Sequence, residues 1–256
     1  MNNFQLAYQT DIGIRKKTNQ DSLLLKGASV DGEELLLAVL CDGMGGMSKG
    51  ELASATAVRF FNEWFMNTYV RNDTAYSIED IQGQWIQLLE DANLKLIQYG
   101  DEHHIQLGTT ATAILIFSNG NYLIGHVGDT RVYQITDIIR QLTEDHTFTA
   151  REIGRGNMTE EQAEKDSRKN ILLQCIGVNQ QFLPQFVSGC FSTGDEIVLC
   201  SDGFRHVVTK NELLEHLKNC NTGSEKDMKM ALTELVELNK KRNETDNISV
   251  ILIRLV

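Results

Sequence analysis

Five aspartates in this 256-residue chain stand where an apolar run begins or ends: Asp21, Asp42, Asp129, Asp202 and Asp246. Two share one format. The apolar run 36–41 leads into Asp42-Gly43, and the run 197–200 leads through Ser201 into Asp202-Gly203. A third, Asp246, opens the last apolar run as Asp246-Asn247. A run that is apolar at every position reads as a strand buried on both faces. A carboxylate at its end sits at the rim of the core. If these strands belong to one pair of packed sheets, several of the carboxylates converge. Converging unpaired carboxylates repel one another and are poorly solvated, and cations resolve this. A donor set of oxygens, without His or Cys at ligand spacing, selects hard ions such as Mg²⁺ or Mn²⁺ over Zn²⁺.

Two other chemistries compete for the stretch around Asp42. Asp-Gly is ordinary turn chemistry. Gly43-x-Gly45 between a strand and a helix also has the outline of a dinucleotide fingerprint. The third glycine position there is Ser48, however, and no Gly-Lys-Ser/Thr follows for a P-loop. Asp31-Gly32 between two apolar runs signals a hairpin, so the chain opens with antiparallel strands. A dinucleotide fold opens with parallel βαβ units.

The elements that must position these groups follow from periodicity. Alternation predicts a half-buried strand over 4–10, and further strands over 22–26 and 34–42. Ala53, Ala57, Phe60, Phe61 and Trp64 fall at helical spacing, as do Ile81, Trp85, Leu88, Leu89, Ala92 and Leu96. These stripes read as helices laid on one face of a sheet. Between them lies a polar connection, 72–77. Runs 108–117 and 121–127 join at Asn119-Gly120, and a tight turn at 128–131 leads to Val132-Tyr133, the three forming an antiparallel meander. From about 145 to 170 the chain is polar and of mixed charge, and reads as a mobile flap with a helix start at Thr159. His146, beside carboxylates, reads as a capping or loop residue. Amphipathic helices follow at 211–219 and about 225–239, then a last strand after Asp246.

Composition is that of a globular chain, 41% hydrophobic and 23% charged, with a net charge of −11. That balance argues against nucleic acid or an anionic membrane as a partner. The five cysteines, Cys41, Cys175, Cys190, Cys200 and Cys220, form no CxxC pair and fit a reducing cytosol. The N-terminus lacks a signal-peptide layout, and no apolar run approaches the roughly 20 residues that span a bilayer. A cytoplasmic monomer with one domain over 1–256 is the expectation.

Seven pieces in order carry a resemblance across essentially the whole chain. They are Gly13…Asn19-x-Asp21, Cys41-Asp42-Gly43-Met44-Gly45-Gly46, Gly108-Thr109-Thr110, and Gly125-His126-Val127-Gly128-Asp129-Thr130-Arg131. Leu142-Thr143-x-Asp145-His146, Ser201-Asp202-Gly203 and Asp246-Asn247-Ile248-Ser249 complete them. The chain resembles the metal-dependent PP2C-type (PPM) serine/threonine protein phosphatases in their compact bacterial form. The resemblance implies an α+β fold, an α-β-β-α sandwich of two antiparallel sheets flanked by helices. It implies two Mn²⁺ or Mg²⁺ ions in the core site, with Asp42 bridging them and the Gly43 carbonyl, Asp202 and Asp246 completing the set. Asp21 acts there directly or through water, and Asp129 helps hold a third, weaker ion. Two metals roughly 4 Å apart share a water, lower its pKa, and so provide a hydroxide for in-line attack on phosphorus. The implied partners are phosphorylated proteins and a cognate Ser/Thr kinase.

Two positions depart from the family. Lys16 stands where a phosphate-binding arginine is expected, with Arg15 just before it. Lysine neutralises phosphate but lacks the bidentate fork; the phosphate contact falls to Lys16 or to Arg15. Met44 stands where many eukaryotic members carry a histidine, so the leaving group takes its proton from a metal-bound water or another residue. The alternative function is a catalytically weak regulatory or binding module on the same fold.

Overall fold

The computed structural model describes residues 3–44, 49–71, 76–178, 180–218 and 223–256. Gly45, Gly46 and Ser48 of the glycine-rich turn lie outside the described residues, as do 72–75 of the polar connection, Asn219 and Cys220.

Ten strands and seven α-helices are described. In chain order they are β1 (Phe4–Asp11), β2 (Asp21–Val30), β3 (Glu33–Asp42), α1 (Gly50–Trp64) and α2 (Ile78–His103). Then come β4 (Ala111–Phe117), β5 (Asn121–Val127), β6 (Arg131–Ile135), β7 (Ile139–Gln141), α3 (Phe148–Gly154) and α4 (Glu160–Lys165). β8 (Gln185–Cys190), β9 (Glu196–Cys200), α5 (Asp202–Arg205), α6 (Lys210–Lys218), α7 (Glu225–Lys241) and β10 (Ile248–Leu255) follow. A π-helical turn, Phe65–Tyr69, extends α1. No helix among the described residues is long and apolar enough to cross a membrane.

The strands form two five-stranded antiparallel sheets, ordered β1-β10-β9-β6-β7 and β2-β3-β4-β5-β8. β3 explains why its sequence is apolar at every position. Leu35, Leu37, Val39 and Cys41 pack outward against α1 and α2 with Phe61, Trp64 and Trp85. Leu36, Ala38 and Leu40 pack inward, against Ile197, Leu199, Ile251 and Ile253 of the facing sheet. Val198, Cys200, Val250 and Leu252 turn the other way, toward Leu213, Leu232 and Leu235 of α6 and α7. The result is helix, sheet, sheet, helix with three apolar layers between them, as the resemblance implies.

The first hairpin is the tight one its Asp-Gly signals. Val30 pairs with Glu33, and Asp31 and Gly32 between them both take positive φ, 51° and 82°. That combination suits a right-twisted two-residue turn.

The expected meander over 108–133 is divided. β4 and β5 pair, but β6 leaves them and joins β9 and β7 in the other sheet. The 128–131 turn is therefore a crossing between sheets, and Asp129 sits on it. The 145–170 segment carries two short helices. Thr147 and Thr159 cap them by accepting from the backbone N–H of Ala150 and Gln162.

Trp85 tests the outer layer. It is fully buried, with Phe61 and Trp64 edge-on at 5.4 and 5.5 Å. Trp85→Ala is expected to cost about 3–5 kcal/mol in urea unfolding, the range for emptying a large aromatic site. A loss below about 1 kcal/mol would mean that α2 does not depend on this contact.

Candidate metal centre

Strand pairing brings the first two aspartates together. Asp21 opens β2, Asp42 closes β3, and the two are direct cross-strand partners. Asp42 is pinned from the next strand. Its N–H donates to Thr110 Oγ1 at 2.9 Å, and its carbonyl accepts from Thr110 N and Thr109 Oγ1, each at 2.9 Å. Gly43 donates its N–H to the Gln20 carbonyl at 3.0 Å, closing the rim between the strands.

The facing sheet supplies Asp202 and Asp246. Ser201 and Ser249 lock the ends of β9 and β10 together, Ser201 N donating to the Ser249 carbonyl and Ser249 N to Ser201 Oγ, both at 3.0 Å. Asp202 follows directly and opens α5. Asp246 precedes β10, its N–H held by Glu244 Oε1 at 2.9 Å. Asp129 arrives from the crossing turn, where Arg205 donates to its carbonyl at 3.0 Å.

At this rim the acids act on one another's charge. Burial pushes Asp42 well above the ordinary carboxylate range, and the charges of Asp21, Asp202, Asp129 and Asp246 add to it. Burial lifts Asp21 to about 7, with Asp202 and Asp246 adding to the rise and the nearby Ser249 hydroxyl offsetting part of it. Burial and Asp202 raise Asp129 to about 7, against the pull of Arg205.

Lys16 reaches into this group. Its Nζ lies 2.6 Å from Asp246 Oδ1. Burial opposes its charge, yet Asp246, Asp42 and Asp202 together raise its pKa. Arg15, one residue earlier, is exposed and makes no ion pair among the described residues. His146 holds the loop: its Nδ1 accepts from Gly128 N at 3.2 Å, and its own N–H donates to the Gly128 carbonyl at 2.7 Å.

The residues fit a hard cation. Both carboxylate oxygens of Asp21 and Oδ1 of Asp202 are buried and accept no well-formed hydrogen bond, although the Ser249 and Ser201 hydroxyls lie near Asp21. Leaving a buried acceptor unmade is costly, and an oxygen-only set of carboxylates suits Mg²⁺ or Mn²⁺. Among the described residues, no three His, Cys, Asp or Glu side chains are already gathered closely enough to hold an ion by themselves. Ions would have to draw the carboxylates in.

Periodicity missed several residues that shape the site. His206 Nε2 lies 3.3 Å from Asp202 Oδ2, and its Nδ1 lies 3.3 Å from Glu244 Oε2. Arg205 lies between Asp129 and Asp145, 3.7 and 3.6 Å away. The i,i+4 spacing of Asp202 and His206 was a usable signal. Nothing local points from His206 to Glu244.

The raised acids set a pH dependence. Between the ordinary carboxylate value near 4 and about 7, the folded chain keeps protons on Asp21 and Asp129 that the unfolded chain has lost. Their contribution to stability is complete at low pH and disappears as pH rises through about 7. Divalent ions held by the same carboxylates would replace those protons. The rise in Tm on adding Mn²⁺ should therefore grow from about pH 5 to about pH 8. A rise that is the same across that range would show that ions and protons do not compete for these groups.

Comparison with known proteins converges on one family. The family model described as Protein phosphatase 2C matches residues 13–238. The serine/threonine phosphatase stp of Listeria innocua is 32% identical over 250 residues, covering 96% of this chain and 94% of its own. Serine/threonine phosphatase Stp1 from Staphylococcus aureus superposes with a TM-score of 0.86 at 26% identity, covering 98% of this chain and 94% of its own. The catalytic domain of the serine/threonine protein phosphatase PstP, solved in complex with two manganese ions, has a TM-score of 0.79 at 25% identity and 99% coverage of both chains. With the matched model spanning most of its length, the chain belongs to the protein phosphatase 2C family.

Proposed function

We propose that this chain hydrolyses phosphoserine and phosphothreonine in proteins with the help of Mn²⁺ or Mg²⁺. The observation that carries this reading is the one just described: buried aspartate oxygens without partners, beside a lysine whose one ion pair is with Asp246 of the same group. The similarity to PstP with two manganese ions supports a pair of ions here. Asp42 stands among the other acids and is the group to bridge them, with Gly43 through its carbonyl, Asp202, Asp246 and Asp21 around it. Asp129, on the crossing turn beside Arg205, is the group to hold a third, weaker ion.

Divalent ions held there would neutralise the carboxylates and lower the pKa of a bound water, making a hydroxide available at neutral pH. The chain's own residues do the rest. Asp42, Asp202 and Asp246 fix the centre at the rim of both sheets. Lys16 Nζ exchanges its contact with Asp246 for a phosphate oxygen and orients the phosphate for in-line attack. Arg15, exposed beside it, is the reserve cation for that contact. Catalysis of this type is positioning and charge neutralisation, with little covalent work for the protein. Met44 carries no proton to give, so the leaving oxygen takes its proton elsewhere. The reading extends to a cognate Ser/Thr kinase in the same cytoplasm and to a monomer acting as one unit over 1–256. A weakly catalytic binding module is the second reading, favoured by Lys16 being engaged with Asp246 rather than open.

Hydrolysis of a phosphothreonine peptide, with Mn²⁺, with Mg²⁺ and with chelator, tests the proposal. Turnover should require an ion and fall at least about 100-fold in Asp42→Asn, since one preorganised charge contact is worth that much. A protein that binds Mn²⁺ by calorimetry and turns over nothing would establish the binding module instead. Lys16→Arg separates the phosphate contact from the centre. The fork of arginine should lower KM by a few-fold with kcat nearly unchanged, and a KM unchanged in both Lys16→Arg and Lys16→Ala would remove Lys16 from phosphate binding.

A further inference from the structure

Asn247 is buried to 2% exposure, and its side chain makes three hydrogen bonds that all land on one loop. Its amide nitrogen donates to the carbonyl of Ile12 at 3.0 Å and to that of Thr18 at 3.2 Å. Its amide oxygen accepts from Gln20 N at 2.9 Å. These three backbone groups bracket the segment 12–20, which carries Arg15, Lys16 and Lys17 and forms no regular element. Amide geometry allows two donors and one acceptor on the same plane, so a single side chain fixes both limbs of the loop.

The loop is seated from other sides as well. Gly13 has φ +75°, and a Cβ there would overlap the Asp246 carbonyl oxygen. The loop backbone thus lies directly against the backbone of Asp246. Asn19 donates to Thr10 Oγ1 at 2.7 Å and accepts from Asp21 N at 3.1 Å, turning the chain into β2. Beyond Gln20 the connection continues. The Gln20 carbonyl accepts from Gly43 N at 3.0 Å and from Ser54 Oγ of α1 at 2.6 Å. One thread of hydrogen bonds therefore joins Asn247, the Lys16 loop, Gly43 and α1.

We infer that Asn247 is a positioning residue that holds the Lys16 loop, and with it the phosphate-binding cation, in register with the acidic centre. The assignment rests on the proposed phosphatase reading for what Lys16 binds, but not for where the loop sits. A loop without regular structure pays ordering entropy each time it closes on a ligand. Asn247 removes most of that cost in advance, because the loop is already tied to the residue that follows Asp246.

Limited trypsin digestion in chelator reads the loop directly, since Arg15, Lys16 and Lys17 are three consecutive cleavage sites. Asn247→Ala should be nicked at 15–17 about tenfold faster than the parent protein, the scale of losing one or two net hydrogen bonds. Cleavage at Lys165 and Lys169, exposed on the 145–170 segment, should not change. With Mn²⁺ and a phosphothreonine peptide, the same variant should show KM raised by about the same factor, with kcat within about twofold and Mn²⁺ affinity by calorimetry retained. If Asn247→Ala does not fold, Asn247→Asp is the second variant. It keeps the volume and the acceptor for Gln20, loses both donors when ionised, and should give the same nicking at about pH 8.5, above the raised range of the buried acids nearby. Equal acceleration at 15–17 and at 165–169 would reveal general loosening and overturn the assignment, as would no acceleration at 15–17. A parent protein that turns over no phosphopeptide would defeat the phosphatase reading alone, because the digestion result needs no activity.

Discussion

Crowded negative charge at one rim of the sandwich is the constraint on which the rest of the structure depends. Asp21 and Asp42 are cross-strand partners, and Asp202, Asp246 and Asp129 lie close enough to raise their pKa values. Nothing in the covalent chain favours that arrangement. Like charges in a buried setting cost free energy, and the protein opposes that cost with rigid surroundings. The three apolar layers fix the strands, and hydrogen bonds at the strand ends fix the last residue of each. Thr110 holds Asp42, Ser201 and Ser249 tie β9 to β10, and Glu244 holds Asp246. Rigidity of this kind stores an unmet demand for positive charge. That is why the site suits hard cations better than any single protonated side chain would.

The chain also shows which of its acids are available. Asp145 is as deeply placed as its neighbours, and burial works to raise its pKa. Arg131 nevertheless holds it low through two hydrogen bonds, at 2.8 and 2.7 Å. For Asp11 too burial is the largest single influence and raises it, but Lys240 and the Gly13 N–H together outweigh it and hold it low. Asp21, Asp42 and Asp129 have no such bidentate partner, and their values rise; burial lifts Glu196 too, against its contacts with Arg254. Arg205 lies at the boundary between the two classes. It contacts Asp145 and Asp129 at ion-pair range, and it lowers Asp129 only in part. A site of this sort is recognised less by its carboxylates than by the absence of cations committed to them.

Much of this was legible from the sequence, for reasons that lie in each residue's neighbourhood. β3 was readable because both of its faces are buried, so hydrophobicity alone defines it. The five aspartates were readable because they sit where apolar runs begin or stop. The first hairpin was readable because Asp31-Gly32 carries its own backbone preference. The destination of β6 was not. Gly128-Asp129-Thr130-Arg131 looks like a turn and is one, but turn chemistry does not say which strand lies across. Pairing of β6 with β9, about 65 residues on, decides that, and no local pattern encodes it. β8 went unread because it is a partly exposed edge strand ending in Ser188, Gly189 and Cys190. His206 and Glu244 escaped notice because their contact exists only after α5 and the turn before β10 are brought together.

The lysine at position 16 is best understood from the same charge balance. An arginine fork would grip a phosphate in two places, but it would also grip a carboxylate in two places. Beside Asp246, Asp42 and Asp202, either cation must part from a carboxylate before it meets a phosphate. A lysine is a single point charge on a flexible stem. In the proposed function it rests on Asp246 without closing the centre and leaves for a phosphate with one contact exchanged for another. The acids around it keep it charged while it waits, since they raise its pKa against the effect of burial. What is lost in directional grip is then recovered in part by the loop, which arrives already ordered. Lys16 and its backbone tether are thus two halves of one solution: a weak, mobile charge carried on a rigidly held strand of chain.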